Sequence, residues 1–200
     1  TIDLFGEWKW VSVYPGLSEA VGVEITPETD ASVLREIAEK HEVDIDPKWD
    51  AEKLVIELFG EIVEPTLVNP TFVYDYPPSA QPLARPHRSG APLIEAWDLI
   101  IGGMERGTAF SELIDPVIQR ERLTAQSLLA AAGDDEAMEL DEDFLRALEH
   151  GAPPMGGIGL GIDRLIMLLA GEQDPERPGT VVRQHVIRET ILFPLMKPEA

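Results

Sequence analysis

The run Gly156-Gly157-Ile158-Gly159-Leu160-Gly161-Ile162-Asp163-Arg164, followed by Leu165-Ile166-Met167-Leu168-Leu169, admits few folds. Glycine alternates with branched apolar residues over Gly157–Gly161, which predicts a strand with almost no side chains on one face. A face that bare lets a flat ligand lie against the backbone. Ile162, Leu165, Ile166 and Leu169 then recur with helical spacing, and Gly171 stands where that helix would stop. Arg164 therefore falls in a first helical turn, where the macrodipole favours anions. A guanidinium can stack on a planar ring and fork onto phosphate oxygens. The pattern points to a nucleotide, its base on the glycine strand and its phosphates near Arg164. A glycine strand serving only close packing is the competing explanation. A Rossmann fingerprint fits worse, because its glycines open a helix after an apolar strand, whereas these lie within the strand.

The 200 residues are enough for one domain with a core, and the 44% apolar content is ordinary for a globular chain. No apolar run approaches a membrane span, and no signal peptide is visible. The absence of cysteine excludes disulfides and thiolate metal sites and fits a reducing compartment. A formal net charge of −21 should repel nucleic acid. Any contact with a nucleic acid is therefore expected from polypeptide outside this chain. The start at Thr1-Ile2-Asp3, without methionine, suggests a fragment or a processed chain.

Short apolar stretches in the first 29 residues are broken by Pro15, Gly16 and Pro27. A helix is expected over Ala31–His41, capped by Thr29 or Asp30, and a second from Asp50, limited by Pro65. Together they make a helical segment at about 30–65. The proline-rich stretch from Asn69 to Pro92 reads as a strand, Thr71–Tyr74, and an ordered loop. Trp97–Ile101, Gly102-Gly103 and Met104–Leu113 read as a hairpin. Asp115-Pro116 opens a helix running to about Ala132, with an acidic loop over Gly133–Asp141. Asp141 caps another helix, about Glu142–His150. Strand hairpins and helices without regular βαβ units predict an α+β fold around an antiparallel sheet.

Asp98, Glu105 and Glu112 are spaced seven apart on or beside apolar strands, where carboxylates are costly unless paired or bound. A two-residue turn at Gly102-Gly103 sets Ile101 opposite Met104, Ile100 opposite Glu105 and Asp98 opposite Gly107. Asp98 and Glu105 are then diagonal neighbours on one face, able to hold one cation between them. Ligation by oxygen alone suits Mg²⁺, which takes one or two carboxylates plus substrate phosphates. Glu112 has the wrong parity for that face unless a bulge lies near Gly107. Solvent exposure on an edge strand is the alternative for all three.

Several segments together resemble the lysyl-tRNA synthetase catalytic domain of the class II aminoacyl-tRNA synthetases. They are Asn69-Pro70-Thr71-Phe72-Val73-Tyr74-Asp75-Tyr76-Pro77, Pro82-Leu83-Ala84-Arg85, Gly102-Gly103-Met104-Glu105-Arg106-Gly107, Phe110-Ser111-Glu112-Leu113, the Gly156–Arg164 run (similar to motif 3) and Ile187-Arg188-Glu189. They occur in family order. Residues 1–68 resemble more loosely the actinobacterial branch, which includes synthetase domains fused to a lysyl-phosphatidylglycerol synthase. The resemblance implies a class II antiparallel sheet flanked by helices and ATP-dependent activation of lysine, followed by transfer to tRNA(Lys). It also implies a homodimeric parent in the cytoplasm, with no membrane contact by this segment. By the same resemblance, Asp98 and Glu105 hold Mg²⁺ on ATP, Glu112 meets the lysine ε-ammonium and Arg164 contacts the ATP γ-phosphate. Gly157, Gly159 and Gly161 form the floor under the nucleotide.

The sequence also departs from the family. Asp98 stands where glutamate is usual, Thr108 where asparagine is common, and Gln81 where serine is common. Residues 172–186 are an insertion, expected at the surface. No Phe-Arg-x-Glu motif 2, no motif 1 and no anticodon-binding barrel occur, since Leu34-Arg35-Glu36 lies in a helical pattern. The whole chain, 1–200, therefore reads as the C-terminal part of a synthetase catalytic domain, inactive by itself. Two alternatives stand beside this: a lysyl-adenylate-forming paralogue with a protein or lipid-pathway acceptor, and a non-catalytic binding module.

Overall fold

The glycine run forms the last strand of a five-stranded sheet. The computed structural model describes residues 1–131, 133 and 137–192. Strands β1 (Ile2–Asp3) and β2 (Lys9–Ser12) precede helices α1 (Val13–Val21), α2 (Ala31–Lys40) and α3 (Ala51–Leu58). The chain continues from α3 through a π-turn, Phe59–Val63, and a 3-10 turn, Glu64–Thr66, into β3 (Thr71–Tyr74). The hairpin β4 (Ala96–Ile100) and β5 (Glu105–Ser111) leads to α4 (Pro116–Ala131) and α5 (Glu142–Glu149). Then come β6 (Gly156–Leu160), α6 (Ile162–Leu169), β7 (Glu172–Gln173), β8 (Thr180–Arg183) and α7 (Ile187–Thr190).

The main sheet has the order β2-β3-β4-β5-β6, and a small second sheet has the order β1-β8-β7. The α+β expectation holds, with one difference. β2 and β3 run parallel, because the chain leaves β2 through three helices and returns beside it in the same direction. The other pairs of the main sheet are antiparallel.

Aspartates start the helices as their spacing predicts. Asp30 accepts from the Ser32 N–H, Asp50 from Lys53, Asp115 from Val117, and Asp141 from Asp143 and Phe144. Two prolines act otherwise than expected. Pro15 lies in the first turn of α1, where its missing N–H costs nothing. Pro65 sits inside the 3-10 turn rather than ending a helix. Gly16, read as a breaker, is helical: a Cβ there would lie 2.7 Å from Val11 Cγ1 and 3.2 Å from Phe59 Cε2. Glycine lets α1 pack against the strand and against the turn that follows α3. The expected helix end at Ala132, and residues 134–136 of the acidic loop, lie outside the described residues.

Leu17, Leu34, Leu54 and Leu58 pack with Val73 and Ile100 in a core that seats the helical segment on one part of the sheet. Ile2, Leu99, Ile101, Leu168 and Val181 form a second core on the other face. The insertion is a surface segment only in part. Glu172 and Gln173 are exposed, but Thr180 and Val181 are buried, and β8 pairs with β1 at the chain start.

Candidate active site

Gly102 and Gly103 have φ of 66° and 64°, and the Ile101 N–H donates to the Met104 carbonyl at 3.0 Å. This is the tight turn with two left-handed residues that glycine pairs favour. It is docked on the segment after α3. The Gly102 and Gly103 N–H groups donate to the carbonyls of Val68 and Leu67 at 2.8 and 3.1 Å.

Ile100 faces Glu105, as the turn requires, but Asp98 faces Thr108 rather than Gly107. The register shifts at Leu99/Ile100 because Arg106 is an extra residue between Glu105 and Gly107. This bulge lies beside Gly107, and it resolves the parity of the carboxylates. Directly paired residues share a face and the side-chain period is two. Asp98, Glu105, Thr108, Phe110 and Glu112 therefore lie on one face of the sheet.

The glycine strand presents its bare side to that face. Gly157 pairs with Phe110 and Gly159 with Thr108. A Cβ on Gly157 would lie 2.5 Å from Glu112 Oε1, so the carboxylate lies over that glycine. A Cβ on Gly159 would meet nothing closer than Thr108 Cγ2 at 3.8 Å. Gly161 is the N-cap of α6, and a Cβ there would lie 3.3 Å from Arg164 Cδ, so the arginine stem passes over it.

Each end of this surface is fixed by hydrogen bonds. Glu112 donates its N–H to the Met155 carbonyl at 3.0 Å and bridges to Ala84. The Pro82–Arg85 loop is clamped in turn by α4. Gln119 Nε2 donates to the Pro82 carbonyl at 3.2 Å and Arg122 Nη1 to the Ala84 carbonyl at 2.6 Å. At the other end, Arg164 Nη1 donates to the Glu105 carbonyl at 3.0 Å and lies 3.6 Å from its carboxylate.

Burial raises the Asp98 carboxyl above the usual range, against hydrogen bonds donated by Thr108 and Tyr76 that lower it. Burial and then the Asp98 charge raise Glu105, and Arg164 opposes them. Glu64, at the end of the helical segment, is raised by burial and by Asp98 and Glu105. These groups carry more negative charge than the local cations balance. Their donor set is oxygen alone, and no group of three or more His, Cys, Asp or Glu among the described residues is arranged to hold a metal by itself. Two carboxylates completed by phosphate and water fit Mg²⁺ chemistry.

Sequence reasoning missed three contributors. Tyr76 donates to Asp98, which pushes its own hydroxyl far above the ordinary tyrosine range, burial being the largest cause. Glu64 approaches from the helical segment. Arg106 is fully buried. A charged residue inside an apolar strand next to Gly107 was the available signal for Arg106; Tyr76 and Glu64 carried none beyond their neighbourhood. A cavity of about 720 Å³ lies apart from this face, between α3 and α4, lined by Trp49, Lys53, Ser79 and Gln81.

A half-bare, largely antiparallel sheet, three carboxylates on its face and an arginine in the helix turn after the glycine strand define a class II synthetase-type domain. The chain belongs to the family described as tRNA synthetases class II (D, K and N), which matches residues 12–197. It is 49% identical over 98% of its length to the lysylphosphatidylglycerol biosynthesis bifunctional protein LysX of Nocardia farcinica, covering 16% of that protein. It is 50% identical, again over 98% of its length, to the lysine–tRNA ligase of Kineococcus radiotolerans, covering 37% of that protein. LysX of Mycobacterium marinum is 47% identical over the same share, of which the chain covers 17%. The chain thus spans between about a sixth and somewhat over a third of the length of these relatives. No helix among the described residues is long and apolar enough to cross a membrane.

Proposed function

We propose that this chain supplies the motif 3 part of a lysine-activating site, in a cytoplasmic protein that makes lysyl-adenylate from lysine and ATP and passes the lysyl group to tRNA(Lys). The observation that carries this reading is the shared face. Glu105 lies beside Arg164 at one end of the glycine strand, Asp98 lies level with Gly159 across Thr108, and Glu112 lies over Gly157 at the other end. The ammonium-binding end at Gly157 and the anion-binding end at Gly161 are four residues apart along the strand, about 13 Å at roughly 3.3 Å per residue.

In the first step a lysine carboxylate oxygen bonds to the α-phosphorus and the bond to pyrophosphate breaks. In the second, a terminal ribose hydroxyl of the tRNA attacks the lysyl carbonyl and AMP leaves. The protein's work is positioning and charge compensation. The bare face at Gly159 and Gly161 takes the nucleotide, while Gly157, expected as part of that floor, lies under the Glu112 carboxylate. Arg164 releases Glu105 and neutralises the pyrophosphate end. Glu112 receives the ε-ammonium, and a carboxylate there penalises side chains without one. Asp98 and Glu105 would hold Mg²⁺, which supplies charge neutralisation on the phosphates when bound. Tyr76 and Thr108 orient Asp98.

The outer edge of β6 is unpaired among the described residues, and Ile158, Leu160, Ile162 and Leu169 are exposed along β6 and α6. So large an apolar strip supports a site completed by further polypeptide, which would carry the tRNA contacts and, in a homodimeric parent, part of the subunit contact. The near-equal identity to LysX proteins and to a lysine–tRNA ligase favours neither fate for the lysyl group. The second reading is therefore a lysyl-tRNA maker that serves lysylphosphatidylglycerol formation.

Lysine-dependent pyrophosphate–ATP exchange by the full-length protein tests the reading. Glu112→Gln should lower it by about tenfold or more, since weakening a buried charge pair costs a few kcal/mol. An unchanged KM for lysine removes Glu112 from the site. Exchange without lysyl-tRNA formation points to another acceptor, and no exchange points to a binding module.

A further inference from the structure

We infer that Arg106 and Gln184 are positioning residues that hold Arg164 in place, so that the 172–186 segment supports the nucleotide site from behind. The inference rests on the proposed role of Arg164 toward ATP.

Arg106 is the bulge residue of β5 and is 0% exposed. A guanidinium so placed is expensive unless every donor is met. Among the described residues its hydrogen-bond partners are all neutral. Nε and Nη2 donate to the Ile101 carbonyl at 3.1 and 2.9 Å, Nη1 donates to the Arg164 carbonyl at 2.6 Å, and Nη2 also donates to Gln184 Oε1. Burial and the charge of Arg164 lower its pKa, in keeping with a cation lacking an acidic partner.

Consecutive residues of β5 thus hold Arg164 at both ends. Glu105 meets its guanidinium through carbonyl and carboxylate. Arg106 meets its backbone carbonyl. The bulge makes this possible, because it leaves Glu105 on the carboxylate face while Arg106 is buried against α6. Any shift of Arg106 therefore moves the first turn of α6 relative to Glu105.

Gln184 ties that arrangement to the 172–186 segment. It follows β8, whose Val181 is 0% exposed and packs with Ile2 and Leu168. The next residue, His185, donates its N–H to the Met167 carbonyl of α6 at 2.9 Å. A Cβ on Gly102 would lie 3.4 Å from Gln184 Oε1 and 2.9 Å from Ile2 Cδ1. The hairpin turn, β1, α6 and the end of β8 therefore converge on Gln184. The 172–186 segment is consequently a brace for the turn that carries Glu105 and for the helix that carries Arg164.

A purely structural role makes a different prediction. Replacing Arg106 and Gln184 together leaves neither side chain orphaned and costs less stability than replacing Arg106 alone, although the Ile101 and Arg164 carbonyls lose their donor in both. It still removes the charge-assisted bond to the Arg164 carbonyl. The test uses the full-length protein that carries this chain, with MgATP affinity measured by calorimetry, melting temperature by scanning fluorimetry, and KM for lysine by pyrophosphate exchange. Gln184→Ala and the double variant Arg106→Leu/Gln184→Leu should each weaken MgATP about 3- to 10-fold, the loss of roughly one hydrogen bond. The KM for lysine should stay unchanged, and the double variant should melt closer to wild type than Arg106→Leu alone. Gln184→Glu keeps an acceptor at the same place and should restore affinity to within about twofold. Arg164→Ala is the control. If it weakens MgATP while Gln184→Ala and the double variant bind as wild type, the positioning role is overturned alone. If Arg164→Ala itself binds MgATP unchanged, the reading of Arg164 fails and the positioning role falls with it.

Discussion

Gly157→Ala separates the lysine end of the surface from its fold. The added Cβ would lie 2.5 Å from Glu112 Oε1 and 3.7 Å from its Cδ, with no backbone atom in the way. The far end of a flexible side chain yields, so the carboxylate retreats by about 1 Å to reach ordinary contact. Alanine is no worse than glycine in an extended strand, so the melting temperature should hold or rise slightly. On the proposed reading, Glu112 then meets the ε-ammonium from farther away. At an effective dielectric near 20, lengthening an ion pair from about 2.8 to about 3.7 Å loses roughly 1.4 kcal/mol, a tenfold change. The KM for lysine in pyrophosphate exchange should rise about tenfold, with the KM for ATP moving much less. Gly159→Ala is the matched comparison, since its Cβ is 3.8 Å from Thr108 Cγ2 and displaces nothing. It should fold equally well and instead raise the KM for ATP, because a methyl group then stands on the nucleotide floor. An unchanged lysine KM in Gly157→Ala, or equal effects of both variants on both substrates, would refute this reasoning.

Asp98→Asn keeps an acceptor for Tyr76 and Thr108 while removing a charge that burial disfavours. It should fold normally, and its Mg²⁺ requirement for exchange should rise about tenfold as one of two charged ligands is lost. Glu95 binds Arg88 at 2.5 Å, and that hydrogen bond is the largest cause lowering its pKa from 4.5 to about 2. Because the folded pKa is depressed, its stabilisation is complete above about pH 4.5 and is lost as pH falls toward 2. Acid unfolding of Glu95→Gln should be flatter across that window, and identical acid curves would exclude the pair as a source of acid sensitivity. Residues 1–200 alone offer the glycine floor and Arg164 but contain no Phe-Arg-x-Glu arginine. They should bind ATP at about millimolar Kd, form no lysyl-adenylate and, at −21 net charge, bind no tRNA at physiological salt. Robust lysine-dependent exchange by this segment would overturn that expectation.

The sequence alone determined the local elements of the surface. The Gly102-Gly103 pair specified its turn because only glycine takes two successive left-handed conformations cheaply. The glycine alternation specified β6, and aspartates followed by helical periodicity specified α2 to α5. These are short-range matters of backbone sterics and capping, and they are written in neighbouring residues. The need for a bulge was also legible, since carboxylates seven apart cannot share a face on a regular strand. Which residue would bulge was not legible. Arg106 took that position because its guanidinium finds carbonyls on the hairpin turn and on α6, residues 5 and 58 positions away. The pairing of Tyr76 with Asp98, the approach of Glu64 and the seating of the 172–186 segment against β1 were decided in the same way. Each depends on which elements the cores at Val73 and Val181 bring together. Local spacing carries no record of such contacts, because packing alone decides which distant residues share them.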